Sequence, residues 1–367
     1  MLTNSEGTIQ DVPTQRSCRE VLDLPDPADV GADAPRYNKI VQALRATTMA
    51  AIAAGRPNPN VLLDPAVSPR TPAWMALRKH AIALHPLYSA PHMETWGAGL
   101  TVEELDEPLV PGGGNPFDLL ALHIGPHRAV RVRDRYAALL SQPYDQDSRM
   151  SVGYMLDARA IRWRAQAATL LAREVARTWS GPESLTLISL ACGAAGPVAQ
   201  LADGLAADGH ELEELHLVDR DPVALAAGRA IARQHVDSDK VRVTLLDLVD
   251  ITDGTATELE PHLGRQRAHV VDILGLFEYL PDNTAVDLLR QARELVRAEG
   301  VVLLANMLDD RPQQDFFEHV VQWPALVQRS VDDLDRLLTE AGFDLLRAKT
   351  VTASRDEAVY AVCAARP

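Results

Sequence analysis

Residues 185–221 limit what this chain can become more than any other stretch. Leu185-Thr186-Leu187-Ile188-Ser189-Leu190-Ala191 is a short apolar run with enough branched residues to be a buried strand. It leads into Cys192-Gly193-Ala194-Ala195-Gly196-Pro197, a turn built from small residues. An apolar-periodic helix follows, then a second strand, Leu215-His216-Leu217-Val218, that stops at Asp219. Strand, tight turn, helix, strand, acid is the order of the nucleotide-binding half of a doubly wound sheet. Small residues let the backbone approach a ligand, and a helix N-terminus offers unpaired N–H groups. An acid ending the next strand can accept both hydroxyls of a ribose. Gly193 and Gly196 give G-x-x-G, and no G-x-G-x-x-G occurs. A pyrophosphate needs more open turn backbone than this, whereas an adenosine carrying a small zwitterion needs less.

The chain of 367 residues is longer than a usual single domain, so two domains, or one with a large extension, are expected. At 47% hydrophobic it can bury a real core. Its net charge of −15 disfavours nucleic acid and anionic membrane surfaces, which reward basic patches. Cys18, Cys192 and Cys363 lie far apart and match no metal spacing or disulfide framework. No run of about 18 apolar residues could span a membrane. The start of the chain is acidic and polar, unlike a secretory signal. A cytoplasmic protein is the expectation.

Residues 1–35, polar and proline-punctuated, read as a mobile segment or one draped over a surface. Residues 36–150 read as a mostly helical lid, substrate or dimerisation region. Helical spacing covers 36–54, 73–85, 116–123 and 126–141, and the prolines of 56–72 mark a connector. His85, His92, His123 and His127 fall there; any one could line a lid, and each alone is more ordinarily inert. An amphipathic helix over 157–179 carries Arg159, Arg162 and Arg164 along one edge. Such arginines are ordinarily solvated or paired with acids. The functional reading is that one of them, with Tyr144 or Tyr154, clamps a carboxylate near the turn.

From Asp219 on, the pattern alternates. A helix over 222–234 has Pro222 in its first turn. Strands are expected at 241–246, ending at Asp247, and at 270–274, leading into Gly275-Leu276-Phe277-Glu278-Tyr279-Leu280-Pro281. A helix over 284–298 precedes a strand at 301–306. Ser330-Val331-Asp332-Asp333 reads as a capping box for a helix over 331–341. Strand-like runs at 343–351 and 358–364 close the chain. The alternation predicts an α/β sandwich with a mostly parallel sheet and a terminal strand pair.

With these motifs in place, residues 185–364 resemble a class I S-adenosylmethionine-dependent methyltransferase. Leu190-Ala191-Cys192-Gly193-Ala194-Ala195-Gly196 is similar to the family's first motif, often written L-G-C-G-x-G. Val218-Asp219-Arg220-Asp221-Pro222 is similar to the second, whose leading acid binds the ribose, and Leu246-Asp247 to the acid that contacts the adenine amino group. Two departures stand out. Ser189 replaces an acid early in the first motif, and Ala191 and Ala195 replace its outer glycines. The resemblance implies a Rossmann-like seven-stranded methyltransferase sheet over 151–367. It also implies S-adenosyl-L-methionine as cofactor, held by Ala191, Cys192, Gly193, Gly196, Asp219, Arg220, Asp247, Leu248, Gly275, Leu276 and Tyr154. A narrower resemblance covers 270–342. There Gly275-Leu276-Phe277-Glu278-Tyr279-Leu280, Phe317-Glu318-His319 and Trp323 look like the branch of bacterial extracellular-factor methyltransferases, associated with methyl esters of hydroxy fatty acids.

The implied partner is a small-molecule methyl acceptor in specialised metabolism or fatty-acyl signalling, with a possible homodimer. A carboxylate acceptor needs only desolvation and orientation. A hydroxyl, amine or activated carbon would want a base. His319 and Tyr279 are the catalytic candidates. A structural histidine is the commoner alternative for the first, and core packing for the second. Cys192 reads as a small buried residue. Two other functions stay open: a non-catalytic S-adenosylmethionine binder or scaffold, which the Ser189 departure keeps alive, and a nicotinamide-dependent oxidoreductase, disfavoured by the missing G-x-G-x-x-G.

Overall fold

A computed structural model describes residues 15–25, 156–179, 184–220, 222–250, 254–265, 267–314 and 326–367, with a few positions between 39 and 54. The described positions 39, 42, 46, 50 and 53 are helical, in line with the helix expected over 36–54. The remaining expectations for 36–150, including the four histidines, lie outside the described residues, as do Tyr144, Tyr154, His319 and Trp323.

The elements are β1 (Cys18–Val21), α1 (Leu156–Ala176), β2 (Ser184–Leu190), α2 (Gly196–Ala207), β3 (Glu211–Asp219), α3 (Pro222–Ala232) and β4 (Val241–Leu245). A two-stranded ladder of β5 (Val249–Asp250) and β6 (Thr255–Ala256) and a short α4 (Glu260–Leu263) follow. The chain then runs through β7 (Ala268–Ile273), α5 (Asp282–Leu295), β8 (Val296–Met307), α6 (Val331–Glu340), β9 (Ala348–Thr352) and β10 (Tyr360–Ala365).

Among the described residues one sheet of eight strands has the order β1-β9-β10-β8-β7-β2-β3-β4. All neighbours are parallel except β10, which runs antiparallel to both β8 and β9. This is the expected Rossmann-like α/β sheet. Its two faces bury separate cores, because successive strand residues point to opposite sides. Leu187, Val270, Leu274 and Val362 pack with α1, α2 and α3 on one face. Ile188, Leu190, Val271 and Ile273 pack with α4, α5 and α6 on the other. The central strands read as continuous apolar runs because both of their faces are covered. Among the described residues, no helix is long and apolar enough to cross a membrane.

The connections explain where a ligand can sit. From β2 the chain steps outward through β3 and β4, then returns to the other side of β2 for β7 and steps outward through β8. The loops after β2 and β7 therefore leave in opposite senses and open a crevice at the carboxyl ends of those two strands.

Four local expectations need correction. The sheet has an eighth strand, because Cys18–Val21 lies parallel to β9 at the edge. It is tied down rather than draped. Ser17 Oγ lies 3.2 Å from Thr350 Oγ1, Arg19 donates to Asp335 at 2.9 Å, and Trp163 Nε1 donates to the Leu22 carbonyl at 3.0 Å. Second, β3 starts at Glu211, four residues before the apolar run. Its first half carries exposed Glu211 and Glu213, yet pairs with Ser184–Thr186. Third, α5 stops at Leu295 and β8 begins at once, where Val296 pairs with Ala268. Fourth, the run at 343–351 opens with a 3-10 turn at Leu345–Arg347, because the Asp344 side chain accepts the Leu346 N–H and caps it. The capping box on α6 is present: Asp333 N donates to Ser330 Oγ and Ser330 N to Asp333 Oδ2, each at 3.1 Å.

Gly300 marks the tightest backbone approach in β8. A Cβ there would stand 2.7 Å from both the His269 carbonyl and Val296 Cγ2. Gly300→Ala is expected to lower stability by about 1–3 kcal/mol through overpacking. Urea unfolding should show this as a lower midpoint at unchanged slope.

Candidate active site

The turn after β2 is built by backbone conformation. Ala191, Gly193 and Ala195 all have positive φ, at 53°, 52° and 56°. Left-handed backbone costs an alanine about 1–2 kcal/mol, so the fold holds Ala191 and Ala195 there against their preference. Three bonds hold it: Cys192 N to the Val218 carbonyl at 3.0 Å, Ala195 N to the Cys192 carbonyl at 2.8 Å, and Gly193 N to Asp219 Oδ2 at 2.8 Å. The last joins the ends of β2 and β3. The alternating twist turns the chain directly into α2, which starts at Gly196 with Pro197 in its first turn. Among the described residues a Cβ on Gly193 would meet nothing within 4 Å, so they leave the space above the turn open. Gly228 of α3 is closed in by contrast, since its Cβ would lie 3.1 Å from both Ala195 Cβ and the Gly193 carbonyl. A glycine there lets α3 support the turn from below.

Next along the edge, Arg220 lies 3.8 Å from Asp247, and both are about half exposed. Leu246 N donates to the Asp219 carbonyl at 2.9 Å. Asp247 accepts the Val249 N–H weakly at 3.4 Å, and its carbonyl accepts the Thr257 hydroxyl at 2.7 Å. Leu248 is buried. Cys192 is buried too, and its thiol is pushed well above its usual range by burial first and then by the Asp219 and Asp272 carboxylates. It therefore stays protonated at neutral pH and acts as a small apolar residue.

On the other side of β2, the loop after β7 begins at Gly275 and Leu276 and makes a 3-10 turn at Phe277–Tyr279. Arg329 fastens this loop. Its guanidinium donates to the carbonyls of Phe277 (2.8 Å) and Leu280 (2.6 Å), to Asn306 Oδ1 (2.8 Å) and to Asp282 Oδ1 (2.8 Å). Val327 N donates to the Glu278 carbonyl at 2.7 Å. Tyr279 is 38% exposed, which rules out core packing for its ring.

Behind the loop lies a buried polar cluster. Glu278 Oε1 is 3.6 Å from Arg164 Nη1, and the Arg164 guanidinium stacks 4.7 Å over the Tyr360 ring. Burial raises the Glu278 carboxyl, and Arg164 opposes the shift. Asp272 of β7 accepts the Ser189 hydroxyl at 3.0 Å. Burial pushes the Asp272 carboxyl up to about 7, against the Ser189 hydrogen bond and the Arg164 charge. Of the three arginines in the first half of α1, Arg159 pairs with Glu357 at 2.6 Å near the surface, whereas Arg162 and Arg164 are buried.

The strand order thus brings Ala191, Cys192, Gly193, Gly196, Asp219, Arg220, Asp247, Leu248, Gly275, Leu276 and Tyr279 to the carboxyl edge of four adjacent strands, β7-β2-β3-β4. Asp272 and Arg329 were not among the sequence candidates. Asp272 had a signal, a lone acid inside the apolar run Val270–Leu274. Arg329 had none, since its partners lie 23 to 52 positions away.

This edge suits an adenosine bearing a small zwitterion: open space over Gly193, an acid at the end of β3, and buried opposite charges behind the turn. Residues 140–365 match the model of the family described as "Putative methyltransferase", and the chain belongs to that family. It is a class I S-adenosylmethionine-dependent methyltransferase, with S-adenosyl-L-methionine as its cofactor. No curated protein matches the chain.

Among solved structures, the chain is similar to a Bordetella parapertussis protein described as a possible exported protein. Identity is 16% over 81% of this chain and 99% of that one, with a TM-score of 0.49. It is similar to the CMeT domain of the citrinin polyketide synthase at 17% identity, over 72% of this chain and 68% of that one, with a TM-score of 0.45. The magnesium protoporphyrin IX methyltransferase of Synechocystis is 15% identical over 64% of this chain and 94% of that one, with a TM-score of 0.42.

A methyl group on Gly228 would crowd Ala195 and the Gly193 carbonyl at 3.1 Å, and helix propensity offsets that crowding by about 1 kcal/mol, so Gly228→Ala is expected to change stability by no more than about 1 kcal/mol while pressing on the turn. By displacing Gly193 it should also weaken S-adenosylhomocysteine binding, which calorimetric titration reads directly.

Proposed function

We propose that this enzyme methylates a small molecule at the carboxyl edge of β2 and β7. The observation that carries the reading is the left-handed turn at 191–195, bonded through Gly193 to Asp219 at the switch point of the sheet. When bound, S-adenosylmethionine supplies a methyl group already activated on a sulfonium. The residues have divided tasks. Ala191, Cys192, Gly193 and Gly196 give close backbone approach. Asp219 accepts the ribose hydroxyls, with Arg220 and the half-exposed Asp247 at the rim. Asp247 and Leu248 receive the adenine, the first through its acid and the second through its apolar side. Gly275 and Leu276 wall the opposite end, and Tyr279 faces the acceptor.

The acceptor side draws on the rest of the chain. β1 is parallel to β9 and so points its end toward the same carboxyl edge, while α1 packs antiparallel to the strands and begins there. The chain therefore leaves the sheet after Pro25 and re-enters at Leu156 beside the site. This placement supports 36–150 as the region that completes the acceptor site or a dimer contact, with 151–367 as the methyltransferase domain. Tyr154 and His319, outside the described residues, remain its candidates for cofactor contact and for the general base. The net charge of −15 favours a small acceptor over nucleic acid. A carboxylic acid of fatty-acyl or specialised metabolism needs no base and is the acceptor to try first, before hydroxyls, amines and activated carbons.

Asp219→Ala is the test. Loss of charged hydrogen bonds to a ribose should weaken S-adenosylmethionine and S-adenosylhomocysteine binding by about 10- to 100-fold in calorimetric titration. Unchanged binding of both would remove Asp219 from the site.

A further inference from the structure

The resemblance puts an acid early in the first motif, where this chain has Ser189. The fold brings an acid to the same place from the neighbouring strand. Ser189 and Asp272 are register partners across β2 and β7, and the Ser189 hydroxyl donates to Asp272 Oδ1 at 3.0 Å. Both side chains face α1, since the flanking Leu187, Val270 and Leu274 pack in the α1 core. Asp272 is 4% exposed, and no described residue bonds its second oxygen. A buried carboxylate oxygen without a protein donor is costly and calls for a partner, a ligand group or a water.

A guanidinium lies close by. Arg164 is 5% exposed, and its Nη2 is 3.5 Å from the point where a Cβ on Gly275 would stand, so it lies against the loop after β7. Arg164 pairs with Glu278 at 3.6 Å, and among the described residues no ion pair joins it to Asp272. An acid and a guanidinium therefore stand near each other behind the turn, close enough for the Arg164 charge to act on Asp272 but not joined in an ion pair. A bound α-amino acid group requires that arrangement: an acceptor for its ammonium and a bidentate donor for its carboxylate.

We propose that Asp272, held by Ser189, receives the ammonium of the cofactor's aminoacyl tail, and that Arg164 receives its carboxylate. Asp272 thus replaces, from β7, the acid missing from β2. This rests on the reading that the cofactor lies at the switch point with its ribose on Asp219.

Two probes separate the tail from the nucleoside. S-adenosylhomocysteine has the zwitterion, and 5′-methylthioadenosine keeps the adenosine and sulfur without it. Asp272→Asn keeps the shape and the Ser189 bond while removing the charge. It should weaken S-adenosylhomocysteine by about 10- to 100-fold, the worth of a charged hydrogen bond, and change 5′-methylthioadenosine by less than about twofold. Asp219→Ala should weaken both.

The wild-type protein gives a second readout. The ammonium binds the ionised carboxylate, and Asp272 is held near 7 by burial. The preference for S-adenosylhomocysteine over 5′-methylthioadenosine should therefore shrink severalfold as pH falls from 8 to 6. The groups that face Asp272 are Ser189 of β2, Arg164 of α1 and Cys192 of the turn, with Glu278 and Tyr360 beyond Arg164. The thiol and the phenol are both raised by burial, so neither titrates in that range. Glu278 pairs with Arg164, and any pH dependence it adds would persist in Asp272→Asn, whereas the part due to Asp272 should vanish there.

Parallel loss of both ligands in Asp272→Asn would make the residue structural and overturn the proposal. So would a preference that stays flat with pH, or a wild-type protein that binds both ligands equally well. If the wild type binds neither ligand, or Asp219→Ala leaves both unchanged, the underlying cofactor reading fails as well.

Discussion

The hydrogen bond from the Gly193 N–H to the Asp219 carboxylate ties together the ends of two parallel strands, and the arrangement of the site follows from it. It holds the turn in a conformation that Ala191 and Ala195 would not choose alone. It fixes where α2 begins. It also places a carboxylate oxygen beside the open space over Gly193. Support from below comes from Gly228, which brings α3 against Ala195 and the Gly193 carbonyl. A strained turn persists only where its surroundings over-determine it, and here two strands and two helices do so.

The opposite wall depends on different physics. Its loop has little regular structure, so its carbonyls need donors from elsewhere. Arg329 provides them, reaching two loop carbonyls, Asn306 of β8 and Asp282 at the start of α5. Asp282 is shared with Arg336 of α6, and hydrogen bonds from Arg336 and Arg329 hold its carboxyl below the usual range. One buried guanidinium thus couples the loop to three elements. Removing it would leave several buried acceptors unmet at once, which is a larger loss than any single hydrogen bond.

How much of this was legible in the sequence depends on how local each feature is. The strand at 184–190, the small-residue turn and Asp219 could be read because periodicity and spacing within about forty residues encode them. The capping box on α6 was readable for the same reason. β1 was not, because Cys18–Val21 is short and carries Arg19 and Glu20, and its strand character comes from pairing with residues more than 300 positions away. The charged first half of β3 was hidden in the same way. Among site residues, Asp272 stood out only as an acid in an apolar strand; its meaning needed the register that sets it beside Ser189. Arg164 was one of three equivalent arginines on a helix edge until the fold sent Arg159 to Glu357 and buried Arg164 beside Glu278.

The proposed cofactor position spans the carboxyl ends of β2, β3 and β7. The most direct measurement is a crystal structure of the protein with S-adenosylhomocysteine. Ligand density is expected with the ribose hydroxyls on Asp219, the sulfur over the 191–195 turn and the aminoacyl tail toward Asp272 and Arg164. Density for the ligand anywhere else on the sheet, or a ribose that makes no contact with Asp219, would contradict that position.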